Sequence, residues 1–320
     1  MTSQPDIILI GRIRTDTQRT MMKASAFAPG HLTGFFEICD NADNYLLKGA
    51  RGAGFSISHG VYTDVEAEPA EKNSVTVTIN GEVDRSAKVS ETVVKRMLSI
   101  LDTPYLVKVD HNIQIPVGAG FGTSGGGALS LALALNEALG LQMSRIEAAQ
   151  VAHIAEIECG TGLGTVLAEL TGGFGVTVKA GGPGIGETVK FNSSGLSAIC
   201  LPIGPMPTKA ALANQELRRR INELGGRFVD ELQEDQSREL FMKLSRIFAE
   251  HIGIITPRLR AVFDLTDKDD VKCSMAMFGE VIFALVESEQ DQGLVDILRV
   301  ASPGRKVLTT GIDEKGARLI

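Results

Sequence analysis

Six glycines fall within ten residues of the run PVGAGFGTSGGGALSLALALNEALGL, from Pro116 to Leu141: Gly118, Gly120, Gly122, Gly125, Gly126 and Gly127. Thr123 and Ser124 stand among them, with Pro116 and Ala119 completing the bend, and the chain then enters a strong helix former. Glycines let backbone N–H groups approach an anion closely, and a helix N-terminus adds the positive end of its dipole. The hydroxyls of Thr123 and Ser124 can donate to phosphate or reach a magnesium ion that phosphate brings. The stretch therefore reads as a phosphate cradle. It lacks the Gly-Lys-Ser/Thr of a Walker A loop, and it does not open a first βαβ unit as a dinucleotide fingerprint does.

The elements that must position this cradle follow in order. KASAFAPGHLTGFFEIC (Lys23 to Cys39) predicts a strand, a Pro-Gly turn and a second strand, and LLKGARGAGFSISHGV (Leu46 to Val61) places glycines where a hairpin or bend would sit. SVTVTING (Ser74 to Gly81) alternates and ends in Asn80-Gly81, a hairpin signal. A helix from about Ser90 to Leu101 and the strand YLVKVD lead into the glycine loop. After the loop's helix, Ser144–Glu158 predicts another helix, with His153 and Glu156 on one face.

Further on, Leu196–Gly204 predicts a strand, and helices are expected over Thr208–Leu224, Arg227–Gln233 and Ser237–Ile252. Val271–Val286 is expected as an apolar helix, with Met275 and Met277 filling the core, while VDILRVA, KVLTTGID and GARLI are expected as strands. Strands before the loop and a helix after it favour α+β over a doubly wound parallel sheet. The expected division is a flexible extension over residues 1–21 (or an upstream start codon assigned in error), an ATP-binding domain over 22–190 and a second domain over 191–320.

Composition narrows the function class. The 320 residues are 43% hydrophobic and 22% charged, with a formal net charge of −7, as in ordinary soluble domains. The one basic triplet, Arg218-Arg219-Arg220, lies in a helical pattern, and with no Trp and three Tyr there is no stacking platform, so nucleic acid is not an expected partner. Cys39, Cys159, Cys200 and Cys273 are scattered without metal spacing, which predicts reduced thiols and a cytoplasmic protein. His59, His111 and His251 show no metal spacing either. No apolar run approaches about 18–20 residues, so a membrane span is not expected.

PVGAGFGTSGGGAL resembles the second signature of the GHMP kinase superfamily, and the Pro29-Gly30 stretch stands where the first would lie. PGHLTGFFE, GAGFGTSGGGALSLALALN, HIAEIECGTGLG and CSMAMFGEVIFAL together resemble its archaeal pantoate kinase branch from Lys23 onward. The resemblance implies an N-terminal domain like ribosomal protein S5 domain 2 and a ferredoxin-like C-terminal domain. It implies ATP with its phosphates on Gly118–Gly127, Ser124 touching phosphate and Mg2+, and Glu156 as the magnesium-binding carboxylate. His153 and Thr208 match substrate-side positions, His31 follows the Pro-Gly pair toward substrate, and Lys23 and Lys179 are the candidate lysines for the transferring phosphoryl group. His31 reads equally as a hydrogen-bonded structural histidine, and either lysine as a solvent-facing charge. Helix dipole help from Cys273–Leu285 is the third-signature expectation, although G-S-G-x-G is absent there. Dimers are common among such kinases, which admits a homodimer, but no stretch of the sequence identifies an interface.

Three positions depart from the branch pattern. Thr165 stands where T-G-L-G-D-V carries the aspartate base, Thr177 where an arginine follows the Gly-Gly pair, and Ala50 where a serine precedes R-G-A-G. A threonine accepts no proton near neutral pH. An intact cradle beside altered substrate positions points to a changed substrate. The best expectation is mevalonate 3-phosphate converted to mevalonate 3,5-bisphosphate in isoprenoid biosynthesis, with Lys48, Arg51, Lys179, Lys209, Thr165 and Thr177 offered to the extra phosphate. The alternatives are pantoate converted to 4-phosphopantoate in coenzyme A biosynthesis, and a non-catalytic nucleotide-binding relative.

Overall fold

Strand β1 (Met22–Cys39) runs unbroken through the Pro29-Gly30 pair that predicts a turn. It pairs antiparallel along its length with β2 (Gly49–Pro69), and the Pro-Gly pair produces a register shift in place of a reversal. The extra residues, Ser58 and His59, bulge from β2 and hydrogen-bond to Gly311 O (3.2 Å) and the Thr310 hydroxyl (2.9 Å). The bulge thus links distant parts of the chain. The computed structural model describes residues 21–206, 208–269, 272–287 and 291–320. The expected extension at 1–21 lies outside these, apart from Met21.

Strands β3 (Ser74–Ile79) and β4 (Glu82–Val83) form the expected hairpin, with positive φ at Asn80 (51°) and Gly81 (84°). Helix α1 (Lys88–Leu98) crosses to β5 (Tyr105–Ile113), which pairs parallel with β3 and antiparallel with β2. Helix α2 (Thr123–Leu139) is buried almost all round, as its apolar composition dictates, and packs with α3 (Arg145–Cys159). A capping box between Ser144 and Glu147 starts α3. Short helix α4 (Thr165–Thr171) leads to β6 (Phe174–Lys179) and β7 (Glu187–Lys190), which extend the sheet beside β2.

The second sheet has the order β11-β8-β10-β9, from β8 (Leu196–Pro205), β9 (Ser274–Met275), β10 (Gly279–Glu287) and β11 (Leu308–Gly311). Helices α5 (Thr208–Ala213), α6 (Gln215–Glu234), α7 (Arg238–Ile252) and α8 (Pro257–Thr266) fall between β8 and β9, and α9 (Asp291–Ala301) between β10 and β11. The last strand, β12 (Arg318–Leu319), returns to pair with β1. Chain order alone therefore does not separate the two sheets.

Besides the turn at Pro29-Gly30, three expectations fail here. The apolar run Val271–Val286 is expected as a helix, yet its described residues form β9, a turn and β10. Residues 279–285 are buried on both faces, and such a strand carries no period that separates it from a buried helix. VDILRVA, expected as a strand, lies in α9, where Leu294, Val295 and Leu298 recur at helical spacing on the buried side. The expected break after Leu224 is absent. α6 runs through Gly225-Gly226 because an added Cβ at Gly225 would lie 2.1 Å from Phe36 O, so glycine serves close helix–strand contact. Phe35, Phe55 and Phe174 from the first sheet meet Phe241 and Phe283 from the second half, which makes one core across both. Each such ring contributes roughly 1.5–3 kcal/mol on burial.

Candidate active site

The glycine loop is held from both sides. His31 N donates to Phe121 O (2.9 Å), tying the loop to β1, and Met206 N donates to Gly118 O (3.0 Å), tying it to the end of β8. Gly118, Gly120 and Gly122 have φ of 72°, 100° and 72°, the left-handed region that side-chain-bearing residues rarely adopt. Ala119 and Phe121 alternate with them as buried anchors. Gly122 caps α2 with no side-chain hydrogen bond, and no acidic residue occupies the helix's first turn. That turn offers backbone N–H groups and a positive dipole end to an anion.

Ser124, exposed in the same turn, donates its hydroxyl to Glu156 Oε1 at 2.5 Å. Thr161 Oγ1 donates to the same oxygen at 2.6 Å. Glu156 is 3% exposed; burial raises its pKa, and these two hydrogen bonds oppose the rise. Glu169 is 0% exposed, and neither of its oxygens has a hydrogen-bond partner among the described residues. Burial, then the charge of Glu156, push its pKa well above the ordinary carboxylate value. A hydroxyl and a carboxylate in contact beside an anion cradle suit magnesium, a hard cation that takes few protein oxygens when phosphate and water supply the rest.

Ser124, Glu156 and Thr161 face a cavity of about 950 Å³. Its walls include residues of the Gly118–Gly127 loop, Ala50, Thr161, Thr165, Thr177, Thr208 and Lys209, with Met277 and Phe278 from the turn before β10. The volume suits a nucleotide with a small second ligand. Residues 88–173 match the family described as "GHMP kinases N terminal domain". Over 281 residues the chain is 35% identical to the pantoate kinase of Thermococcus kodakarensis, covering 87% of this chain and 92% of that one. The pantoate kinase of Methanocaldococcus jannaschii is 34% identical over 278 residues, covering 85% and 96%.

The chain belongs to the GHMP kinase family.

A solved structure described as a phosphotransferase related to the CoA biosynthesis pathway superposes on this GHMP kinase with a TM-score of 0.82 at 30% identity, covering 93% of this chain and 98% of the other. The fold is thus the expected α+β kinase fold, and the protein is a phosphotransferase with an alcohol group as acceptor.

The structure gathers part of the sequence-derived site. Gly118, Gly120, Gly122, Thr123, Ser124, Gly125, Glu156, His31, Ala50, Thr165, Thr177 and Thr208 all line the cavity. Pro116, Ala119 and Gly126 belong to the same bend without lining it. Lys23, Lys179, Arg51, His153 and Lys48 lie elsewhere. Lys23 is exposed on β1 and paired with Glu66. Lys179 is exposed and paired with Glu187 at 2.7 Å. Arg51 is held by Val178 O (2.9 Å), Glu37 (3.0 Å) and Asp230. His153 is 1% exposed and bound to the carbonyls of Tyr45 (3.2 Å) and Lys48 (3.0 Å), anchoring the segment before β2. Sequence reasoning passed over Thr161, Glu169 and the cavity-lining lysines Lys88 and Lys95. Glu169 had one available signal, its place one helical turn after Thr165.

His111 also borders the cavity, bonded to Thr63 Oγ1 (2.8 Å) and Ser90 Oγ (3.0 Å), and Thr63 continues through Ser130 to Gly126 O. Burial lowers its pKa to about 4, with Asp110 opposing. The unfolded chain takes up this proton near pH 6.5 and the folded one only near 4, so stability falls as pH drops through that window. Denaturant unfolding should show wild type losing up to about 3 kcal/mol relative to His111→Gln between pH 6.5 and 4. A constant gap between the two proteins would contradict this.

Proposed function

We propose that this GHMP kinase transfers the terminal phosphoryl group of ATP, with Mg2+, to the primary hydroxyl of a small branched hydroxy acid, and that the acceptor is pantoate. The observation that carries the reading is the clamped glycine loop opening at the α2 N-terminus onto the Ser124–Glu156 pair. The loop amides and helix end would hold the nucleotide's phosphates, and Ser124 and Glu156 would hold the metal. Magnesium supplies neutralisation of phosphate charge when bound. Thr161 orients Glu156, while Thr165, Thr177, Thr208 and Lys209 are the polar groups available to orient the acceptor. Phosphoryl transfer passes through a loose transition state, so such positioning supplies most of what the reaction needs.

Pantoate is supported by relatives carrying that name at 31–35% identity. The mevalonate 3-phosphate reading rests on Thr165, Thr177 and Lys209, which do line the cavity. It loses the other cations it invoked. Lys179 and Arg51 are paired outside the cavity, and Lys48 lies over the Tyr45 ring, also off its wall. Of the cations it invoked, Lys209 remains on the wall, and Lys88 and Lys95 line the same cavity. ADP release measured with pantoate, mevalonate 3-phosphate, mevalonate and homoserine should show turnover with pantoate at least tenfold above the others, on the order expected when one buried polar contact is mismatched. Preference for mevalonate 3-phosphate would reverse the assignment, and ATP binding without consumption would favour the non-catalytic reading.

A further inference from the structure

Thr165 and Glu169 stand one helical turn apart on α4 and share a face of it. A Cβ added at Gly122 would lie 2.5 Å from Glu169 Oε1 and 2.6 Å from Thr165 Cγ2, and one added at Gly125 would lie 2.9 Å from Glu169 Oε2 and 3.4 Å from Thr165 Cβ. Both side chains therefore lie against the same glycines, Gly122 and Gly125, at the first turn of α2. Thr165 lines the cavity; Glu169 is sealed behind it with two unpartnered oxygens. A buried carboxyl without a partner is costly and asks for an explanation. Rotation about χ1 exchanges the threonine methyl and hydroxyl, and both rotamers are accessible to threonine in a helix. The exchange would put the hydroxyl where the methyl now lies, against the glycines that the Glu169 carboxyl also approaches.

We propose that Thr165 and Glu169 form a hydroxyl–carboxyl relay that takes the proton from the acceptor alcohol during phosphoryl transfer. As the alcohol oxygen bonds to the terminal phosphorus, the bond from that phosphorus to the bridging oxygen breaks, and the nucleoside diphosphate leaves with its electron pair. The alcohol proton passes to Thr165 Oγ1, whose own proton passes to a carboxylate oxygen of Glu169. The proton returns to solvent by the same hydroxyl after product leaves. Thr165 is the residue that touches the acceptor, and Glu169 acts through it as a positioning residue. The relay rests on the kinase reading of the cavity and supplies the proton acceptor that threonine alone cannot be.

The test compares wild type with Glu169→Gln, Thr165→Val, Thr165→Ser and the Glu169→Gln/Thr165→Val pair. It measures kcat, both KM values and ATP affinity by calorimetry. Glu169→Gln and Thr165→Val should each lower kcat by about a hundredfold with the KM for ATP within about twofold. Thr165→Ser should keep near wild-type kcat, and the pair should be no slower than either single variant. A Glu169→Gln kcat within about threefold of wild type overturns the relay, as does a loss matched by weaker ATP binding. Thr165→Ser as slow as Thr165→Val also overturns it, and this comparison stands even if Glu169→Gln does not fold. Absence of wild-type turnover on every acceptor removes the kinase reading and the relay together, whereas active wild type with indifferent variants removes the relay alone.

Discussion

Glu156→Gln is expected to lower kcat about a thousandfold while leaving the melting temperature unchanged or slightly higher. The amide has nearly the size of the carboxylate, and its oxygen can still accept from Ser124 and Thr161, which now donate at 2.5 and 2.6 Å. What disappears is the capacity to carry negative charge at a position that is 3% exposed. A charge there is opposed by burial and useful only opposite a cation. Removing it therefore costs function and relieves the empty fold, the usual relation at a site not optimised for stability. Steady-state kinetics across a magnesium titration, with thermal unfolding of the same preparations, checks both halves. A variant within tenfold of wild-type kcat, or one that melts many degrees lower, would remove Glu156 from the metal-binding role.

How much of this site could be read in advance depended on how local its signal was. The glycine loop was legible because its chemistry is written in consecutive residues: three left-handed glycines, a helix former and two hydroxyls. Ser124 came with it, and Glu156 through the likeness of HIAEIECGTGLG to related kinases. Long polar side chains were not legible, because their partners are distant in sequence. Arg51 is drawn away from the cavity by Glu37 and Asp230, and His153 by the carbonyls of Tyr45 and Lys48. Glu169 escaped notice for the same reason. Its burial depends on Gly122 and Gly125 above it and on Ala317, whose N–H bonds to the Glu169 carbonyl. The run after Val271 misled in another way: burial on both faces erased the alternation that would have marked a strand.

Gly279→Ala is expected to destabilise the protein by about 3 kcal/mol and to raise the KM for ATP severalfold. Gly279 opens β10, and an added Cβ would lie 1.9 Å from Ala119 O, 2.0 Å from Ala119 C and 2.2 Å from Gly120 N. Each of these atoms is backbone of the phosphate loop, so no side chain can swing aside. The alternatives are a shift of the loop or a shift of β10, which is buried among the residues of the common core. The loop is already tied to β1 through Phe121 and to the end of β8 through Gly118, so moving it disturbs the first turn of α2 as well. Gly293 provides the control: it lies in α9 with nothing within 4 Å of an added Cβ, and Gly293→Ala should stabilise by about 0.5–1 kcal/mol through helix propensity alone. Denaturant unfolding and ATP titration of the two variants give opposite signs if the second sheet holds the cradle in place. A Gly279→Ala protein with wild-type stability and wild-type ATP affinity would show that the loop is free to retreat, and that its grip on phosphate owes nothing to the contact with β10.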